Sequence, residues 1–96
     1  MVRHIVMYWL KDKEKIGETV AILNSMRGKI PGLLKVEAAK DETNSPRSCD
    51  LCLHTVLESR EALEAYIAHP VHVPVKEHMH SVMERSASAD FEVDAI

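Results

Sequence analysis

The chain turns at one short segment, Tyr66-Ile67-Ala68-His69-Pro70-Val71-His72, and this corner decides the fold. A helical pattern leads into it and a second one follows it. Because proline disfavours helical geometry at the preceding residue, we predict that the first of these helices ends at His69. One helical turn places Tyr66 beside His69, and Pro70 redirects the chain before His72. The segment is therefore predicted to be a corner that carries titratable side chains.

Apolar periodicity on either side of the corner predicts four strands and three helices. The strands are expected at residues 2–10, 33–41, 50–57 and 86–93. A first helix is expected over residues 14–29, with Gly28 and Pro31 as stop signals. The second helix begins after an N-cap at Ser59, and the third has Pro74 in its first turn.

The same periodicity predicts which side chains of two elements are buried. In the second strand Leu34, Val36 and Ala38 are expected to share one face. In the second helix Ile67 is expected to join Tyr66 in the apolar stripe.

The order strand, helix, strand, strand, helix, strand is typical of the ferredoxin-like split βαβ arrangement, a fold of the α+β class. It gives a four-stranded antiparallel sheet with the helices on one face. The helix-free face would carry these apolar side chains: Ile5, Met7, Trp9, Cys52, Val56, Ala87, Ala89, Phe91 and Val93. Because so large an apolar face is unusual on a monomer, we expect a C₂ homodimer that packs sheet to sheet through it.

Composition limits the classes of function. The chain has 96 residues, 46% of them hydrophobic and 28% charged, which predicts one soluble domain over residues 1–96. No apolar run approaches the roughly 20 residues that span a membrane, and no signal-peptide core follows Met1, so a cytoplasmic location is expected. The net charge is −3 and the basic residues are scattered, which argues against binding nucleic acid or a membrane surface.

The cysteines and histidines do not predict a metal site or a cofactor. Cys49 and Cys52 form a single Cys-x-x-Cys pair that continues into a strand, so we expect buried thiols rather than a zinc or redox site. His78 and His80 are two residues apart on a helix and point in different directions, so both are expected to face solvent.

Three segments resemble the stress-responsive α/β-barrel, or Dabb, family: residues 3–11, residues 57–66, and His69-Pro70-Val71-His72. The signature Tyr-x-x-His-Pro-x-His is the most specific part, and Asp90-Phe91 also looks like the family. The resemblance spans nearly the whole chain and implies a dimeric α/β barrel.

The resemblance also implies a chemistry. The family includes a polyketide cyclase, which closes a linear thioester by an intramolecular aldol condensation without a cofactor. By analogy His72 would be the general base and Tyr66 would orient the reacting carbonyl, while His4 falls at a pocket histidine. Ser86 and Ser88 stand where the cyclase has apolar walls, a departure that argues against a long alkyl tail.

The position of His72 in the sequence supports a role as a general base. It precedes a predicted helix start, where the helix dipole disfavours the imidazolium form, and Tyr66 is expected to fix the ring's tautomer. A structural alternative remains open, in which Tyr66 packs in the core and His72 caps the helix. His69 is expected to anchor the corner by hydrogen bonds rather than to take part in chemistry.

From the fold and the family resemblance we predict a pocket between sheet and helices, bordered by His4, Tyr8, Tyr66, His72 and Asp90. It would bind a small organic molecule, with acid–base chemistry of the cyclase or isomerase type. Two alternatives stay open: a non-catalytic stress or assembly protein, and a cofactor-free monooxygenase.

Overall fold

Four strands and three helices form in the predicted order. The computed structural model describes residues 1–96. The strands are β1 (Val2–Leu10), β2 (Leu33–Lys40), β3 (Leu51–Leu57) and β4 (Met83–Glu92). The helices are α1 (Ile16–Asn24), α2 (Arg60–Ala68) and α3 (His72–Val82), and a short 3₁₀ turn at Lys13–Lys15 precedes α1.

The strands form one sheet in the order β2-β3-β1-β4, and every neighbouring pair is antiparallel. This is the ferredoxin-like topology, so the predicted fold class is confirmed. None of the three helices has the length and apolar character needed to cross a membrane.

The first helix is shorter than the predicted range of 14–29. At its C-terminal end the chain turns toward β2, and side chains there form hydrogen bonds to the backbone of that strand. Asn24 donates from its amide to the Ala38 carbonyl at 3.0 Å and accepts from the Ala38 N–H at 2.9 Å. Arg27 donates to the Val36 carbonyl at 2.7 Å. Met26 is fully buried although it lies beyond the end of the helix. The apolar spacing therefore predicted this core residue correctly and the end of the helix wrongly.

Two of the predicted apolar positions are exposed. Leu34 is 46% exposed because the pairing of β2 with β3 shifts register between Leu33 and Lys35, so that Leu33 enters the core instead. Val36 and Ala38 are buried as predicted. Ile67 is also 46% exposed, because it lies at the rim of a cavity.

The core lies between the helices and one face of the sheet, and contains 17 buried apolar residues. Ser59 caps α2 as predicted, with its side-chain oxygen accepting from the Ala62 N–H at 3.1 Å. Gly32 lets this helix pack close to the turn before β2. It has φ +81°, and a Cβ there would come within 2.8 Å of the Ala62 Cβ.

The other face of the sheet has no helix against it. The register places Met7 between Cys52 and Ala87, with Ile5 and Ala89 in the next row. Met7 and Phe91 are each 41% exposed, and the Arg85 guanidinium lies 3.9 Å from the Trp9 ring centroid. We call this surface the helix-free face.

Candidate ligand-binding site

A cavity of about 250 Å³ lies between the helix side of the sheet and the helices α2 and α3. His4 and Tyr8 reach it from β1, Tyr66 from α2 and His72 from α3. The cavity thus brings together four of the residues predicted to border a pocket. Asp90 is not part of its lining.

His72 is the first residue of α3, and its ring is fixed by the helix before the corner. Its Nδ1 lies 3.0 Å from the carbonyl oxygen of Ile67. Because a carbonyl can only accept, Nδ1 carries the proton and Nε2 keeps a free lone pair. The prediction that Tyr66 fixes the tautomer is therefore wrong. Ile67 does so through its backbone, which sequence spacing did not indicate.

The pKa of His72 is lowered, chiefly because the ring is half-buried, which disfavours its charged form. The nearby side chains of Lys76 and His4 lower it further, and the bond to the Ile67 carbonyl raises it in part. The ring is consequently neutral at pH 7. A neutral ring was predicted from the helix dipole, whereas burial is the largest cause of the lowered pKa in the structure.

Tyr66 packs against the His72 ring. The two ring centroids are 4.3 Å apart at an interplanar angle of 38°. Tyr66 is 1% exposed, and its hydroxyl oxygen is sealed from solvent with no hydrogen-bond partner. Burial raises the pKa of this phenol far above its ordinary value, so the group stays protonated and can donate.

His4 and Asp90 form a hydrogen bond across the two strands β1 and β4, in which the His4 Nδ1 faces a carboxylate oxygen. The two residues are direct partners in the strand register. The carboxylate accepts a hydrogen bond from Nδ1–H, so Nε2 is the ring nitrogen of His4 that Asp90 does not contact. The ring then stands edge-on to Tyr66, with centroids 6.0 Å apart. Asp90 therefore acts on the cavity through His4.

Tyr8 lies on the cavity side of β1, two residues along from Val6, and is 8% exposed. Burial raises its pKa to about 12, with a smaller contribution from Cys52. The phenol is therefore neutral at physiological pH and is a second phenol of the cavity wall.

Two cavity residues on α3 were not predicted from the sequence. Lys76 and His80 line the cavity with His72, and the three are spaced by four residues along one side of the helix. That spacing is the signal that identifies them. His78, which was expected in solvent, instead contacts the buried Thr19 hydroxyl through Nε2 at 3.3 Å.

Backbone and side-chain bonds of His69 hold the corner. Its Nδ1 accepts from the Val71 N–H at 3.0 Å, and its carbonyl accepts from the N–H groups of His72 and Val73 at 2.9 and 3.1 Å. His69 itself is extended, with ψ 139°, as expected before Pro70. These bonds fix where α3 begins and therefore where His72 sits.

The cysteines lie away from the cavity. Cys49 and Cys52 are free and half-buried, and burial raises the pKa of each thiol. No group of three histidine, cysteine or carboxylate side chains is arranged to hold a metal ion.

Proteins of similar sequence and structure were found. An uncharacterised protein of Streptomyces coelicolor is 26% identical over 77 residues, which cover 75% of this chain and 79% of that protein. A dimeric protein of unknown function from Bacteroides fragilis has the same ferredoxin-like fold, with a TM-score of 0.83 at 22% identity over 96% of this chain and 95% of that one.

A hydroxynitrile lyase from Passiflora edulis is also similar in structure, with a TM-score of 0.82 at 13% identity over 99% of this chain and 94% of that one. Identities this low show a shared fold. The sequence profile of the stress-responsive A/B barrel domain matches residues 2–93, nearly the whole chain. The chain therefore belongs to the stress-responsive α/β-barrel (Dabb) family.

Proposed function

We propose that this protein is a homodimer that binds a small organic molecule in the cavity and performs acid–base chemistry of the cyclase or isomerase type on it without a cofactor. One observation carries the proposal. A free imidazole nitrogen on His72 stands beside a buried phenol, Tyr66, whose hydroxyl has no partner.

The unpartnered hydroxyl supports a ligand at this position. A buried polar group without a hydrogen bond costs about 1–3 kcal/mol. A ligand carbonyl that accepts from Tyr66 would remove that cost. Because the phenol stays protonated at physiological pH, it can donate to a carbonyl and to the enolate that forms from it.

His72 supplies the base. Its Nε2 would take a proton from the carbon next to the carbonyl, and the negative charge would pass to the oxygen held by Tyr66. The imidazolium formed in this step would then return its proton to the product. The packing of the two rings, with centroids 4.3 Å apart, lets one ligand contact both groups.

His4 adds a second imidazole to the cavity wall, oriented by Asp90. A carboxylate on Nδ1 fixes the orientation of the ring. His4 is therefore suited to hold a polar atom of the ligand opposite Tyr66. The hydroxynitrile lyase named above shows that this backbone also carries an enzyme in another protein.

The homodimer is supported by the helix-free face. Its exposed Met7 and Phe91 would be covered by the same face of a second copy. The side chains of Arg3 and His54 also project from this face, and Arg3 Nε and His54 Nε2 have no hydrogen-bond partner within the chain. Dimeric relatives of the same fold support the assembly.

Proton exchange at carbon tests the acid–base step. Phenylacetone and levulinate in D₂O would be incubated with the protein, and the loss of their α-proton signals followed by NMR. We expect the native protein to accelerate exchange about a hundredfold or more over His72→Ala. His78→Gln, a histidine change outside the cavity lining and outside the helix-free face, should exchange as the native protein does. Exchange at the buffer rate with native protein contradicts the acid–base step.

A purely structural role is the second candidate, and the hydrogen bonds of the corner favour it. His72 and His69 both bond to backbone groups that join α2 to α3. In that case His72→Ala and Tyr66→Phe would change the melting temperature and leave ligand affinity unchanged. Measuring both quantities on the same variants distinguishes the two functions.

A further inference from the structure

The polar side chains that line the cavity include no carboxylate, and the lysine, the tyrosines and the serines can each donate a hydrogen bond to a ligand. The polar side chains are one lysine, three histidines, two tyrosines and two serines. A lining that offers several donors and no carboxylate favours a ligand that is rich in acceptors.

The positive charge lies at the end formed by α3. Lys76 and His80 are both exposed and line the cavity one and two turns beyond His72. Lys76 makes no ion pair within the chain, since the three lysine–carboxylate pairs that form involve other lysines. The carboxylate of Asp90 is already held by His4. The Lys76 ammonium is therefore an uncompensated cation at the cavity.

The remaining wall divides into two kinds of surface. Ile67, Val75, Met79 and Met83 form an apolar part, whereas Ser86 and Ser88 of β4 add hydroxyl groups. The volume of about 250 Å³ is below that of most drug-sized ligand pockets, which are about 300–1,000 Å³. The site thus combines one cation, several donors and a compact apolar wall.

We infer that the ligand is a small organic monoanion, a carboxylate attached to a compact apolar body, with the carboxylate at Lys76 and the body against the methionines. This inference rests on the proposed function of the cavity. One lysine matches the single charge of a carboxylate, and the hydroxyls of Ser86 and Ser88 can donate to its second oxygen. The ligand's reacting carbon then lies further in, at His72 and Tyr66.

Matched pairs of probes test the charge of the ligand. Benzoate and phenylacetate differ from benzamide and phenylacetamide in charge and very little in shape. Binding would be followed by NMR, through the chemical shifts of the His72 and Tyr66 rings. We expect each acid to bind more tightly than its amide, and Lys76→Met to weaken the acids about fivefold or more while leaving the amides unchanged.

Lys29→Met is the control, because Lys29 is exposed, lies outside the cavity lining and carries the same charge. It should leave all four affinities unchanged. Equal affinity for acids and amides, or an equal effect of the two lysine changes, would overturn the anion preference and leave the ligand site intact. Failure of all four probes to shift the two rings would contradict the proposed function and this inference together.

Discussion

The Ile67 carbonyl oxygen accepts a hydrogen bond from Nδ1 of His72 at 3.0 Å, although the two residues belong to different helices. This bond spans the corner and leaves Nε2 as the only nitrogen of that ring able to accept a proton. The shape of the turn and the protonation of the imidazole therefore depend on the same contact. A substitution that moves the corner would therefore also change which nitrogen of His72 can accept a proton.

Replacing Tyr66 with phenylalanine should not destabilise the protein. The change removes a buried hydroxyl that has no partner, and so we expect the free energy of unfolding to stay the same or rise by about 1 kcal/mol. Urea denaturation measures this. Under the proposed function, proton exchange should fall in the same variant. A loss of more than about 1 kcal/mol of stability would show that the hydroxyl is bonded in solution.

Stability should fall below neutral pH because of His72. Its pKa in the folded protein is lower than the value of 6.5 in an unfolded chain, so the unfolded state binds more protons in that range. The contribution is fully present above pH 6.5 and is lost as the pH falls through the folded pKa. Melting temperatures between pH 5 and 8 should fall more steeply for the native protein than for His72→Gln. Parallel curves would contradict the lowered pKa.

Gly32→Ala should destabilise the protein by about 1–3 kcal/mol. The residue has a positive φ, and the added Cβ would meet the Ala62 Cβ at 2.8 Å. Gly17→Ala is the matched control, because its Cβ would meet nothing within 4 Å and it lies in α1. That change should stabilise by up to about 1 kcal/mol. Thermal unfolding of both variants checks the pair, and equal shifts would refute the packing argument.

A charge on the helix-free face should separate the proposed dimer. Met7→Glu would place a carboxylate in the apolar rows where the second sheet is expected, and desolvating it there is unfavourable. Val73→Glu is the control, because Val73 is 36% exposed and lies on α3. Analytical ultracentrifugation should show a monomer for the first variant and a dimer for the second. A dimer in both cases would place the interface elsewhere.

Periodicity and capping predicted the elements because those signals are local. The alternation in β1 separates core from helix-free face, and Ser59 caps α2 through its own neighbours. The exposed Leu34 was missed because a register shift depends on the partner strand. The end of α1 was missed because Asn24 bonds to a residue of β2, 14 positions away.

The site was predicted in part, for the same reason. The corner signature identified Tyr66 and His72, yet the pairing of His4 with Asp90 arises only when β1 and β4 become neighbours. The role of the Ile67 carbonyl depends on how the corner bends, and it could not be predicted because every residue type has the same backbone carbonyl. Lys76 and His80 were within reach of sequence reasoning, through their spacing on α3.

The strand β4 serves two surfaces at once. Ser86, Ser88 and Asp90 lie on the side of the cavity, and Ala87, Ala89 and Phe91 alternate with them on the helix-free face. Inserting or deleting one residue within the strand would exchange the two sets, since side chains alternate strictly. Relatives can therefore differ in which residues occupy β4, whereas evolution should tolerate insertions and deletions there only in pairs.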